Sequence, residues 1–232
     1  MEIETIVTES IQRTRSIISV RFAKPEGFEY LPGQYIFITI GSGDAELRKP
    51  LSISCSPTEG FLEVTKRLTG HPFSNALALL KEGDKVKFRG PIGYFTFLGE
   101  YKKIGMLSGG IGITPLRSII KYISDKMLDT DIVLFYSNSY EDDIAFDKEF
   151  EDLEKKSPKL NIVSTVTRPG PSWTGITGRI SADMIKTHLP DYKDRVFYVS
   201  GPTKMVDSSL NLLKEMNVPE AQIKKESFAG YD

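Results

Sequence analysis

Two glycine-bearing stretches are the parts of this 232-residue sequence best suited to chemistry. In LSGGIGITPLRSII, Gly109, Gly110 and Gly112 stand between an apolar run and a segment with helical spacing, with Thr114 and Pro115 at the junction. Bare backbone at such a junction lets a polyanion approach closely, and the free N–H groups and positive dipole of a helix N-terminus favour phosphate. Thr114 adds a hydroxyl, and Pro115 suits a first helical turn, where its missing N–H is no loss. The glycines are open to a second reading, in which they only tighten a strand-to-helix turn, and the G-x-G-x-x-G fingerprint is absent. VFYVSGPTKMV repeats the construction, with Gly201 and Pro202 after one apolar run and before another helical one. Ligands of open parallel sheets collect at the carboxyl ends of strands, so two such ends facing one crevice imply a dinucleotide lying across them. No metal constellation accompanies them: His71 and His188 are the only histidines, too few for a three-ligand zinc, and read as surface or loop residues. The nucleophile-elbow pattern of a hydrolase is also missing.

What positions these residues is legible in the change of apolar period along the chain. From Ile3 to about Leu98 come ETIVTES, IISVRF, YIFITI, LSISCS, FLEVTK and KVKFRG, separated by KPEG, PGQ, GSGD, PTEG and KEGD. Short segments rich in Val, Ile, Thr, Phe and Tyr, bounded by turn residues, are strands, and this series predicts an antiparallel barrel, closed or nearly so. One helix interrupts it, SNALALLK, opened by Ser74 as N-cap and ended before Gly83. After about Lys102 the strands KIGML, DIVLFYS, LNIVSTV and RVFYVS alternate with the helical PLRSIIKYISDK, FDKEFEDLEKK, ISADMIKTHL and TKMVDSSLNLLKEM. Continuous apolar strands separated by helices predict a parallel sheet covered on both faces. The expected fold is two-domain: an N-terminal antiparallel β-barrel over 1–100 and a C-terminal α/β nucleotide-binding domain over 101–232, joined near Gly99 to Lys103.

Acidic and basic residues nearly cancel, 31 against 30, so no global field exists to attract nucleic acid or an anionic membrane. The single cysteine, Cys55, provides neither an internal disulfide nor a cysteine-ligated iron–sulfur cluster from this chain alone. MEIETIVTES lacks the basic start and apolar core of a signal peptide, and no uninterrupted apolar run approaches a membrane span. The expectation is a soluble cytoplasmic protein with no membrane insertion.

With these pieces in order, the sequence resembles the ferredoxin–NADP reductase superfamily, a flavin-binding barrel followed by a nicotinamide-dinucleotide domain. The motifs KPLS (Lys49 to Ser52), EVTKR (Glu63 to Arg67), FSNAL (Phe73 to Leu77), GPIGYF (Gly90 to Phe95), GGIGITP (Gly109 to Pro115) and SGPTKM (Ser200 to Met205) appear in the family's order across nearly the whole chain. The first corresponds to the family's Arg-x-Tyr-Ser, in which the basic residue meets flavin phosphate, the aromatic stacks on the isoalloxazine and the hydroxyl approaches the reactive flavin nitrogen. Here Lys49 holds the basic position beside Arg48, Pro50 the variable one, Leu51 replaces the aromatic and Ser52 is retained. Lysine supplies charge without the bidentate fork, and Leu51 covers a ring face without π stacking.

The resemblance further implies that Phe73, Ser74 and Asn75 meet the flavin pyrophosphate and that Thr65 and Lys66 lie along the flavin. Lys66 and Ser74 are also readable as a solvated charge and a helix cap. Phe228 and Tyr231 stand where relatives bring an aromatic against the flavin, or are packing anchors. Thr167 and Arg168 resemble a Ser-Arg pair that holds the 2′-phosphate of NADP, while the acidic run Glu141 to Asp143 would repel a phosphate if it lies nearby. Ser200 stands where many relatives carry a cysteine. The implied cofactors are FAD and NADP(H) or NAD(H), with a lean to NADP(H). The implied reaction moves a hydride from nicotinamide to flavin, with Ser52 as the one candidate catalytic residue, and passes electrons to a separate redox protein such as ferredoxin, to an oxygenase component or to a small molecule. Two alternatives stay open: a flavin reductase that uses flavin as a diffusible substrate, and a noncatalytic electron-transfer subunit of a larger oxidoreductase.

Overall fold

The structure is a computed structural model and describes residues 2–229. The N-terminal half folds into β1 (Ile3–Thr14), β2 (Ile17–Ala23), β3 (Tyr35–Ile40), β4 (Leu47–Ser52), β5 (Phe61–Arg67), the helix α1 (Pro72–Ala78) and β6 (Lys85–Ile92). All strand pairs are antiparallel, in the order β4-β3-β6-β1-β2-β5. The edges β4 and β5 meet through a bridge between Ile53 and Val64, with the Ser54 N–H donating to Glu63 O at 2.9 Å, which closes the sheet into a barrel. Alternation explains the closure: Ile36 and Ile38 of β3, Leu62 and Val64 of β5, and Val86 and Phe88 of β6 fill the interior, while the intervening residues, the buried Glu63 among them, point to the other face of the sheet. The helix α1 starts earlier than expected. His71 is its N-cap, Pro72 occupies its first turn, and Ser74 lies inside it, its Oγ accepting from the Thr69 N–H at 2.9 Å. Ser74 is the first hydroxyl of the segment and so the cap its sequence suggests, but proline at the helix start decides the boundary.

The C-terminal half contains β7 (Lys103–Gly109), α2 (Ile113–Asp125), β8 (Asp131–Asn138), α3 (Asp147–Lys156), β9 (Leu160–Val166), β10 (Ile176–Thr177), α4 (Ala182–His188), β11 (Val196–Pro202), α5 (Thr203–Glu215) and β12 (Ile223–Phe228). Its sheet is wholly parallel, in the order β10-β9-β8-β7-β11-β12. It holds two strands more than the four legible in the sequence. β10 has only two residues, and β12, IKKESF, carries three consecutive charged residues as an edge strand can, so neither shows an apolar run. Leu116, Ile119, Ile120 and Ile123 of α2 and Phe150 and Leu153 of α3 cover one sheet face. Ile185 of α4 and Val206 and Leu213 of α5 cover the other. The chain winds outward from β7 to β10, then returns to place β11 on β7's other side, so the strand order reverses between β7 and β11. Ligands of doubly wound sheets bind outside the carboxyl ends of the strands at such a reversal. Both glycine stretches end there.

Candidate functional site

A crevice of about 890 Å³ opens between the two halves. Its barrel wall comes from Tyr35 and Phe37 of β3, Arg48 to Ser52 of β4, Thr65 and Lys66 of β5, and His71 to Ser74 around the start of α1. Its other wall is Ile111 and Thr114 beside the first glycine loop, and Glu226 to Ala229 at the end of β12. Nine of the residues singled out in the barrel thus converge with Thr114 and Phe228 across one space, at a volume ordinary for cofactor sites.

On the barrel wall, strand alternation sorts the side chains. Lys66 follows Leu62 and Val64 on the interior side of β5 and enters the crevice at the rim, 8 % exposed. Burial, and secondarily the charge of Lys49, push its pKa down to about 8. Leu51 belongs to the barrel core and is nine-tenths buried, so it offers the crevice an edge of apolar surface. Ser52 lies directly across from Tyr35 in the β3–β4 register. Arg48 turns outward, its guanidinium 5.0 Å from the Phe37 ring centre and 3.7 Å from Glu2. The Thr65 hydroxyl is committed to a buried network with Ser19 (2.7 Å) and Ser54 (2.8 Å). Asn75 does not line the crevice; its side-chain amide donates to Gly70 O at 2.9 Å and braces the loop before α1.

On the other wall the two glycine loops pack against each other. A Cβ on Gly112 would collide with Ser200 O and come within 2.5 Å of Gly201 Cα. A Cβ on Gly109 would meet Met205 Cγ at 2.8 Å, and one on Gly201 would meet Met205 Sδ at 3.1 Å. Backbone contact therefore requires glycine at 112, Gly109 and Gly201 pack tightly against the Met205 side chain, and Gly110 has φ +51° in the left-handed region. Gly110 to Gly112 form a short 3-10 turn that runs into α2, and the Thr114 hydroxyl donates to Ile111 O at 3.1 Å. Ser108 and Ser200, adjacent in register, are fully buried with side-chain oxygens that lack a hydrogen-bond partner. That leaves polar capacity at the point where the strand order reverses.

Thr167 and Arg168 lie farther along the strand ends, past the end of β9, and do not line the crevice. Their backbone N–H groups donate to Asn138 O (3.0 Å) and Ser139 O (2.8 Å). Tyr140 hydrogen-bonds the exposed Arg168 guanidinium and raises its pKa. The acidic run does lie nearby: the Gly170 N–H donates to both Glu141 carboxylate oxygens at 3.1 Å, and Glu141's own backbone N–H, then that of Gly170, hold the carboxyl below its usual range. Pro202 ends β11 and caps α5 beside Gly201. Phe228, expected in a tail, is the last residue of β12, and Tyr231 falls outside the described residues.

Tyr35, Phe37, His71 and Glu226 line the crevice without having been singled out for it. Glu226 shares its strand face with Phe228, and burial raises its pKa. The aromatic pair YIF was readable only as strand, and Glu226 was hidden because β12 itself was not recognised.

Both halves of the chain are similar to known oxidoreductases. The family model of an oxidoreductase FAD-binding domain matches residues 3–97, and that of an oxidoreductase NAD-binding domain matches residues 106–210. The plasma membrane-associated coenzyme Q6 reductase of Saccharomyces cerevisiae is 30% identical over 221 residues, 93% of this chain and 70% of that protein. The glycine betaine monooxygenase reductase subunit of Chromohalobacter salexigens is 29% identical over 89% of this chain, which spans only 58% of that protein. Among solved structures, the cytochrome b5 reductase domain of Ulva prolifera nitrate reductase superposes with a TM-score of 0.84 at 26% identity, covering 97% of both chains. No helix among the described residues is long and apolar enough to cross a membrane, and no group of His, Cys, Asp and Glu among them could hold a metal ion. Cationic, apolar and hydroxyl groups around one crevice fit a flavin dinucleotide, and glycine loops at a strand-order reversal fit a nicotinamide one; the chain is an oxidoreductase of the ferredoxin–NADP reductase superfamily, with FAD and NAD(P)H as its cofactors.

Proposed function

We propose that the protein is an NAD(P)H-dependent flavoprotein reductase that hands electrons to a separate redox partner such as a ferredoxin, an oxygenase component or a cytochrome. The observation that carries this reading is the single crevice joining Lys49, Lys66 and Ser52 of the barrel to Thr114 and Phe228 of the parallel half. FAD supplies the two-electron chemistry when bound, taking a hydride from nicotinamide and releasing electrons singly or as a pair. The chain binds, orients and shields. Lys49 and Lys66, with Ser74 and the start of α1, hold the phosphates from the barrel side. Leu51 and Phe228 border the ring system, and the Ser52 hydroxyl hydrogen-bonds the flavin nitrogen that changes protonation. Thr114 and the backbone of Gly110 and Gly201 receive the nicotinamide dinucleotide, and Thr167 and Arg168, two strands away, receive its adenosine end. We assign the flavin role to residues 1–100 and the dinucleotide role to 101–232.

The three relatives named above carry a quinone reductase, a monooxygenase reductase and a cytochrome b5 reductase in their names, so the acceptor varies within the family. A separate acceptor is favoured here because Cys55 is the only cysteine and is buried in the barrel. Cytoplasmic placement belongs to this proposal as well. A flavin reductase acting on free flavin is the second reading, favoured by Leu51 in place of a stacking ring. Purified protein separates them: yellow protein bleached anaerobically by NADPH or NADH, with electrons then passed to an added ferredoxin or cytochrome, supports the first. Colourless protein that oxidises the dinucleotide only when flavin is added supports the second.

A further inference from the structure

The two halves are joined by an arginine that the mechanism above does not use. Arg117 lies on α2 with its side chain 3 % exposed. Its Nη1 donates to the carbonyl of Ser54 at 3.0 Å and to the Glu59 carboxylate, and its Nη2 donates to the other Glu59 oxygen at 3.0 Å. Nη2 also pairs with Glu149 of α3 at 2.7 Å. The next residue, Ser118, donates to the carbonyl of Cys55 at 2.6 Å. Consecutive residues of one helix thus hold consecutive carbonyls of the segment that directly follows Ser52. Glu59 is itself fixed, accepting from the Ser56 N–H at 2.7 Å, and at the far end of α2 the Thr58 hydroxyl donates to Asp125 at 2.6 Å.

The covalent path through this contact is short. Ser54 follows Ser52 by two residues, and Arg117 follows Thr114 by three, less than one helical turn. Ser52 and Thr114 stand on opposite walls of the crevice. A buried ion pair is poor evidence of stabilisation, because apolar residues of equal volume often serve as well. A planar fork that hydrogen-bonds a carbonyl and both oxygens of the Glu59 carboxylate at once, with Glu149 as a further ion-pair partner, does something apolar packing does not, which is to fix direction and distance. We propose that Arg117 is a positioning residue that sets the separation of the two crevice walls, and through it the distance between the flavin and nicotinamide rings. This rests on the reading of the crevice given above. Reaction distances tolerate little error, and a displacement of about 1 Å is worth about 100-fold in rate.

Arg195 provides the control. It is similarly buried and pairs with the more exposed carboxylates of Asp191 and Asp131 and with the carbonyl of Ile104, but all these partners lie within the parallel half, away from the crevice. The test compares Arg117→Met, Arg117→Lys, the milder Ser118→Ala and Arg195→Met with the wild type in anaerobic stopped flow and in hydrogen–deuterium exchange. We expect Arg117→Met to keep its flavin and lose about 10- to 100-fold in the rate of flavin reduction. Arg117→Lys should recover part of the loss, Ser118→Ala should lose about threefold, and Arg195→Met should stay within about twofold of wild type while losing comparable thermal stability. Exchange should rise together at residues 53–59 and 110–118 in Arg117→Met and not in Arg195→Met. Equal slowing by both arginine variants, a wild-type rate in both Arg117→Met and Ser118→Ala, or unchanged exchange at those two segments would overturn the proposal. If Arg117→Met does not fold, Ser118→Ala and Arg117→Lys decide by the same readouts. A wild-type protein that neither dinucleotide reduces defeats the reading of the crevice instead, and the exchange comparison still decides the clamp.

Discussion

On the barrel side of the crevice positive charge sits on side chains, Lys49 and Lys66, whereas on the parallel-sheet side it comes from backbone N–H groups and the start of α2 after Gly110 to Gly112. Both can hold a diphosphate, but by different physics. The side-chain device titrates: burial and Lys49 already bring Lys66 down to about 8. The backbone device does not titrate; it depends on how closely two loops approach, since Gly112 and Gly201 leave no room for a Cβ between them. In this reading one coenzyme is held by charge and the other by shape, so pH should discriminate against the first and sterics against the second.

The largest expected effect is steric. Gly112→Ala forces the glycine loops apart, which overpacking puts at about 1–3 kcal/mol of stability. We expect reduction by either dinucleotide to fall more than about 100-fold, with flavin content retained. Loss of flavin in parallel would erase the distinction between the two devices. Lys66→Met comes next, with flavin affinity at neutral pH falling about 10- to 100-fold, as charge-assisted hydrogen bonds are worth. The wild type should show the matching pH dependence. A bound anion favours the charged lysine, so as pH rises through about 8 the empty crevice loses its proton first and flavin affinity falls. Isothermal titration of apoprotein with FAD across that range should give a falling affinity in the wild type and a flat one in Lys66→Met. Equal slopes would remove Lys66 from the site.

Ser52→Ala should slow flavin reduction about tenfold while changing flavin affinity little, because the lost hydrogen bond matters most where protonation changes. An unchanged stopped-flow rate would remove that role. The smallest effect belongs to the outermost contact. Arg168→Ala should weaken NADPH relative to NADH by about threefold to tenfold in KM, and a ratio that does not move would leave Arg168 as a surface charge held by Tyr140. The Glu141 carboxylate, tied to Gly170 two residues beyond Arg168, opposes a 2′-phosphate and keeps the expected preference small.

Most of the fold could be read from local patterns. The barrel strands alternate and the parallel strands are apolar throughout, so each half announces its own period. β12 escaped because an edge strand carries Lys224, Lys225 and Glu226 and owes its conformation to pairing with β11. Within the site, residues that reach the crevice along a strand direction, such as Ser52 and Lys66, were legible through their motifs. Residues whose roles depend on tertiary neighbours were not. Ser74 is inside α1 because Pro72 opens it, Thr65 turns its hydroxyl into a buried network, and Arg117 reads in sequence as one more helix cation.

The central claim is that a flavin and a nicotinamide dinucleotide meet in the crevice between Ser52 and Thr114. Anaerobic titration of the purified protein, supplied with FAD, by NADH and NADPH in parallel tests it most directly. The account predicts a yellow protein whose flavin band is bleached by about one equivalent of dinucleotide. A protein that takes up no FAD, or a yellow one that neither dinucleotide bleaches, would contradict it.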